Sequence, residues 1–165
     1  MPKSQVIVIN TSPIISLVAA LGNLEVLSFL YEEVIVPLAV CEEILNSENQ
    51  VFAQSEFRQA TWLNKQNHPV QISQFLLNSL DLGEAAVIQV ALNQNIRTVC
   101  IDETVGRRVA RLNGLNVTGS IGILLKYKQQ KPSLSIQNAI QNMINKNIYL
   151  SQNVIDFALK QAGEL

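Results

Sequence analysis

Val6-Ile7-Val8-Ile9-Asn10-Thr11-Ser12-Pro13 holds a strand, a polar joint and the opening of a helix in one short run. Its first residues are β-branched and apolar on both faces, the pattern of a strand covered on both sides of a sheet. The apolar run stops at Asn10, and Pro13 opens a second one. Proline suits the first turn of a helix, and Ser12 reads as the N-cap before it. In an open parallel sheet, ligands bind where the carboxyl end of a strand feeds a helix. Asn10 is therefore expected to point into a site, and the rest of the chain can be searched for what meets it there.

Outward from this joint, residues 13–21 read as a helix stopped by Gly22, and Asn23 caps a shorter one over 24–30. Residues 33–37 are a short buried strand, and 39–45 a helix with Val40, Cys41 and Ile44 facing the core. Residues 46–68 are polar and predict one further helix anchored by Phe57, Trp62 and Leu63. Residues 85–92 form an almost wholly apolar helix led in by Asp81-Leu82-Gly83-Glu84. Residues 97–102 are a strand with an acid at its carboxyl end. An amphipathic helix over 103–112 follows, with Val105, Val109 and Leu112 inward, and then a last short strand over 115–118. Gly119-Ser120-Ile121-Gly122 opens the next helix. From residue 133, Ile136, Ala139, Ile140, Met143 and Ile144 repeat at helical spacing, and Ser151 caps a final helix. Alternating strands and helices predict an α/β fold with a central parallel sheet and helices on both faces. Residues 1–165 are expected to form one domain, with 133–165 as a C-terminal helical hairpin packed on the sheet or holding two copies together.

Composition narrows the function. Of 165 residues, 48% are apolar and 15% charged, which excludes a disordered chain and favours apolar surface covered by a partner or a second copy. The net charge of −1 confines any anion-binding surface to a local patch. The apolar start after Lys3 is broken at Asn10 to Pro13, where a signal peptide needs continuity. No run approaches the roughly 18 apolar residues of a membrane span, so a cytoplasmic protein without membrane contact is expected. Cys41 and Cys100 read as buried thiols, with a disulfide undecided. His68 is the one histidine, which leaves out a His-rich zinc site and a Ser–His–Asp arrangement.

Asn10 and Asp102 each end a buried strand and so lie along one edge of the sheet. Glu43 and Glu84 lie on helices whose starts face that edge, with Asp81 and Glu103 beside them. Oxygen ligands gathered in this way suit Mg2+ or Mn2+, which would activate a water and offset charge on a phosphodiester. Each acid has a plainer reading as well. Asp81-x-x-Glu84 is also a capping box, Glu42 and Glu43 a solvated helix face, and Asp102 an N-cap. Arg107, Arg108, Arg111, Lys126, Lys128 and Lys131 are six of the twelve lysines and arginines, all between positions 107 and 131. With the helix start at Ser120, they form a basic rim of the kind phosphates bind, although Lys126 and Lys128 also complement a helix C-terminus. A nucleotide-binding domain at Gly119–Gly122 lacks the Gly-x-Gly-x-x-Gly or Walker loop it would need.

These motifs together, read in order, resemble the PIN-domain family, in the branch of prokaryotic PIN-like proteins predicted to bind nucleic acid. The resemblance rests on residues 6–17, 36–44, 82–86, 101–110 and 117–122, and extends through 155–164. It implies a three-layer α/β/α sandwich and a Mg2+- or Mn2+-dependent ribonuclease acting on single-stranded RNA, often the toxin beside an antitoxin protein. By position, it places the catalytic and metal-binding residues at Asn10, Glu43, Glu84 and Asp102, with Thr11 or Ser12 as a supporting hydroxyl. Where the family carries aspartate, this chain has Asn10. The amide still offers an oxygen to a hard cation but brings no charge, so metal affinity should fall unless Glu103, Asp81 or Glu42 compensates.

Overall fold

The computed structural model describes residues 5–165; Lys3 and the other residues before Gln5 lie outside the described part. Five strands form one sheet in which every pairing is parallel. They are β1 (Val6–Ile9), β2 (Glu33–Val36), β3 (Asn64–Lys65), β4 (Thr98–Cys100) and β5 (Asn116–Thr118), in the spatial order β3-β2-β1-β4-β5. The chain steps outward from β1 to β2 and β3, then returns to lay β4 and β5 on the other side. The crevice where that order reverses opens at the carboxyl ends of β1 and β4, and such crevices hold ligands in open α/β sheets. Ile7, Val8 and Ile9 are wholly buried, as a central strand with helices on both faces requires.

The helices complete a three-layer α/β/α sandwich. They are α1 (Thr11–Leu21), α2 (Glu25–Leu30), α3 (Leu38–Asn46), α4 (Val51–Gln59), α5 (Gln74–Ser79), α6 (Leu82–Asn93), α7 (Thr104–Leu112) and α8 (Ser120–Gln130), with the C-terminal pair α9 (Ile136–Asn145) and α10 (Gln152–Ala162). α1 packs among α3, α4, α8 and α9, while α6 packs on β1 and β4 beside α5 and α7. α3 touches both α1 and α6, which draws its polar residues to the carboxyl edge. No helix among the described residues is long and apolar enough to cross a membrane.

Several expectations need correction. Ser12 is not the N-cap of α1: the helix starts at Thr11 and the cap position is Asn10, whose side chain makes no capping bond. Asn23 sits one residue ahead of the cap of α2 and still accepts from Glu25 N at 3.0 Å. Trp62 is 41% exposed, and Phe57 and Leu63 are the anchors that the 46–68 segment buries. That segment also contributes the edge strand β3, and α5 follows it; both are too short to show a period. On α7 the buried stripe is Gly106, Val109 and Ala110, while Val105 and Leu112 face solvent. The helix turns its glycine inward because a carboxylate occupies the space beneath it, as the site geometry shows. The C-terminal pair packs on α1 and α8 rather than directly on the sheet, and leaves Ile144 exposed.

Candidate functional site

The site begins with the backbone. Asn10 N donates to Cys100 O at 3.0 Å, and Ile101 N to Thr118 O at 3.0 Å, so the strand ends that carry Asn10 and Asp102 are fixed side by side. Asn10 is buried, and its amide is turned away from the open first turn of α1 towards the start of α6. A Cβ at position 83 would lie 3.0 Å from Glu43 Oε2, 3.2 Å from Asn10 Oδ1 and 3.6 Å from Asp81 Oδ1. A side chain at position 83 would crowd the Glu43 and Asn10 oxygens, which would have to give by a few tenths of an ångström. Partial burial, and then the Asp81 carboxylate, push the Glu43 carboxyl above the ordinary range. Thr11 is buried next to Asn10, and its hydroxyl faces the Glu43 carboxyl, whose rise it opposes.

Glu84 shares the Asp81 neighbour of Glu43 and turns towards α7. Asp81 is the N-cap of α6 and accepts from Glu84 N at 2.8 Å, the plainer reading of the Asp81-x-x-Glu84 pattern. The Glu84 side chain is 5% exposed, and its Oε2 has no hydrogen-bond partner. That oxygen lies 2.6 Å from where a Cβ on Gly106 would stand, which explains the inward glycine of α7. Burial, then the Asp81 charge, raise its carboxyl to about 7.

Asp102 meets the start of α8. It does not cap α7, where Glu103 holds the cap position without a side-chain bond. Both Asp102 oxygens are taken at the start of α8: Oδ1 accepts from Ser120 N at 2.8 Å and Oδ2 from Ser120 Oγ at 3.0 Å. A Cβ on Gly119 would meet Asp102 Oδ1 at 2.7 Å and Arg107 Nη1 at 2.8 Å, so the guanidinium stands beside the carboxylate. Arg107 Nη1 also donates to Ile101 O at 2.8 Å. Burial raises the Asp102 carboxyl, and Ser120 and Arg107 act against that rise.

A groove of about 1110 Å³ runs along this edge, lined among others by Ser12, Asp102, Glu103, Arg107, Ser120 and Lys126. Arg108 and Arg111 are exposed on α7 and do not line it. Neither does Lys128, which donates to Glu164 Oε2 at 2.8 Å and Leu134 O at 2.8 Å. Sequence reasoning missed the packing role of Gly83 and Gly106. A glycine inside a helix costs about 1 kcal/mol relative to alanine, and two at such positions were the available signal.

Residues 6–164 match the model of a family described as a PIN domain (DUF3368). The chain belongs to the PIN-domain family. No curated protein and no solved structure matches it. PIN-domain membership carries an association with nucleic acid and with divalent cations, so the donor set must be asked whether it fits such an ion. It does not. Among the described residues no group of three or more histidines, cysteines, aspartates or glutamates is placed to hold a metal. At the Gly83 convergence, Asn10 replaces what would be the third carboxylate, and Asp81 Oδ1 is already bonded to Glu84 N. Both Asp102 oxygens accept from Ser120, and Glu84 Oε2 is directed beneath α7. Glu43, Glu84 and Asp102, expected around one ion, are each engaged by nearby groups: Glu43 beside Asn10 and Asp81, Glu84 beneath α7, and Asp102 at Ser120.

Proposed function

We propose that this PIN-domain chain is a catalytically silent module that binds single-stranded RNA along the carboxyl edge of its sheet. The silent reading is supported by one observation: among the described residues no group of three or more histidines, cysteines, aspartates or glutamates is placed to hold a metal. The binding reading is supported by the groove, where Arg107, Lys126 and the first turn of α8 offer cationic and N–H contacts to phosphate. Arg107 uses one N–H on Ile101 O, and a guanidinium carries five. The Asp102 charge beneath the groove is compensated by Arg107 and Ser120, so it opposes a phosphate less than an unpaired carboxylate would.

The active alternative is a Mg2+- or Mn2+-dependent ribonuclease, the toxin of a toxin–antitoxin pair, with Glu43, Glu84 and Asp102 around an ion. The two readings separate in one experiment. Labelled single-stranded RNA is titrated with the protein by fluorescence anisotropy, with and without Mn2+, and the strand is then run on a denaturing gel. The silent module binds with a steep salt dependence and leaves the strand intact in both conditions. Arg107→Ala should weaken binding and lower the salt slope by about one. Cleavage that needs Mn2+ and disappears in Glu43→Gln would establish the nuclease instead.

A further inference from the structure

Two aromatic side chains on the groove have no role in anything described so far. Tyr149, in the connection between α9 and α10, is 86% exposed, and Phe157 on α10 is 55% exposed. Both line the same groove as Arg107, Ser120 and Lys126, and no other aromatic residue does. Phe29, Tyr31, Phe52, Phe57 and Tyr127 each meet another ring or a lysine ammonium, at centroid distances between 4.4 and 5.5 Å. Among the described residues Tyr149 and Phe157 have neither kind of contact, nor do Trp62 and Phe75, which do not line the groove. Rings left bare against water are a cost to the free protein, and in a groove they offer flat apolar faces to a flat ligand.

The chemistry of the groove specifies that ligand. One part of its lining carries Arg107 and Lys126 next to Asp102 and Glu103, with Arg107 standing beside the Asp102 carboxylate; another is aromatic and apolar, where Ile148, Leu150 and Val154 accompany the two rings in the lining. A single nucleic-acid strand presents the complementary pair, phosphates along its backbone and unstacked bases beside them. A duplex presents only the first, because its bases are already stacked on one another. We propose that Tyr149 and Phe157 form a stacking platform for bases of the strand whose phosphates meet Arg107 and Lys126, and that this platform makes the groove select single strands over duplexes. The inference rests on the RNA-binding reading above and assigns the C-terminal helical pair a part in it. The connection carrying Tyr149 thus contributes to recognition as well as to the fold.

The test uses the full chain with short labelled RNA strands followed by fluorescence anisotropy. The strands are a normal single strand, the same strand with abasic sites, and its duplex. Tyr149→Ala and Phe157→Ala should each weaken binding of the normal strand by about tenfold, with the salt slope unchanged. Tyr149→Phe should keep parental affinity, because stacking needs the ring and not the hydroxyl. The parent should bind the abasic strand and the duplex as weakly as the alanine variants bind the normal strand. Thermal melts of the variants should match the parent, since both side chains are exposed. If the parent binds RNA but the alanine variants or the abasic strand lose nothing, the platform is overturned and the RNA-binding reading stands. If the parent binds no RNA, both fall together.

Discussion

At the scale of single residues, position 10 determines what the edge of the sheet can hold. Asn10 Oδ1 shares one small volume with Glu43 and Asp81. Asn10→Asp would make that volume a three-carboxylate cluster with almost no change in size. Unit charges about 4 Å apart near a protein surface interact by about 4 kcal/mol, so a gain of at least tenfold in Mn2+ affinity is a modest expectation. Isothermal titration of parent and variant with Mn2+ measures it, and equal affinity would show that position 10 does not reach the ion. Without metal the variant should melt lower, because Glu43 already sits beside the Asp81 charge and a further carboxylate adds repulsion. Mn2+ should then restore stability in the variant more than in the parent. Glu84 offers a test that needs no metal. Its folded carboxyl lies near 7, above the ordinary value of about 4.5, so the folded state holds the proton more tightly. That contribution is complete below about pH 4.5 and is lost as pH rises through about 7. Glu84→Gln should leave the melting temperature nearly unchanged at about pH 4 and raise it by a few degrees at about pH 8. Asn10 and Asp102 could be picked out in the sequence because each follows a strand, and Glu84 because it opens a helix; Glu43, in the middle of α3, came from the family resemblance. The partners of these side chains were not legible, because they depend on which way Ser120, Gly106 and Gly83 face, and strand and helix periods carry no such information.

At the scale of elements, long periodic segments were read from sequence and short or side-chain-dependent ones were not. The central strand β1 and the apolar α6 announce themselves by continuous burial, whereas β3 and α5 span two and six residues. The face of α7 was misread because Val105 and Leu112 were assumed to be core, when Gly106 had to turn inward over Glu84. The C-terminal helices show how one acid can hold elements together. Glu164 accepts from Ile136 N at 2.7 Å, Gln137 N at 3.0 Å and Lys128 Nζ at 2.8 Å, closing the open start of α9 and tying it to α8. Against the burial that would raise it, the Lys128 ammonium and these two N–H groups hold its carboxyl at about 2. The stabilisation is therefore present above the unfolded value of about 4.5 and is lost as pH falls towards about 2. Glu164→Ala should lower the melting temperature by about 2–4 °C at neutral pH and speed amide exchange in α9 more than in β1. At about pH 2 parent and variant should melt alike. Lys128→Ala should share this loss of stability while leaving the salt slope of RNA binding unchanged, which separates Lys128 from Arg107.

At the scale of the whole molecule, low charge raises the matter of self-association, and the structure moves its place. Ile136, Ala139, Ile140 and Met143, the apolar face of α9 that could have joined two copies, are buried within the chain, where α9 packs on α1 and α8. Large apolar side chains remain uncovered on α5 and the start of α6, where Phe75 is 61%, Leu77 40% and Leu82 58% exposed. Beside them lies a pocket of about 300 Å³ lined by Val70, Ile72, Leu82 and Ala86 among others. Apolar residues grouped around a concave surface mark a place where another surface is accepted, whereas single exposed ones are ordinary. This part of the lining shares no residue with the groove at the carboxyl edge, so association through it would leave Arg107, Tyr149 and Phe157 open. The expected result is a dimer by sedimentation equilibrium that Phe75→Glu with Leu82→Glu converts to monomer while single-stranded RNA affinity per chain stays the same. A charge on each of two exposed positions costs the fold little and costs a desolvated interface several kcal/mol, so the shift in mass should be complete at micromolar concentration. A parent that sediments as a monomer up to high concentration would leave these residues as ordinary surface. A double variant that remained a dimer would place the interface elsewhere, with the exposed α7 face of Val105, Arg108 and Leu112 as the next surface to charge.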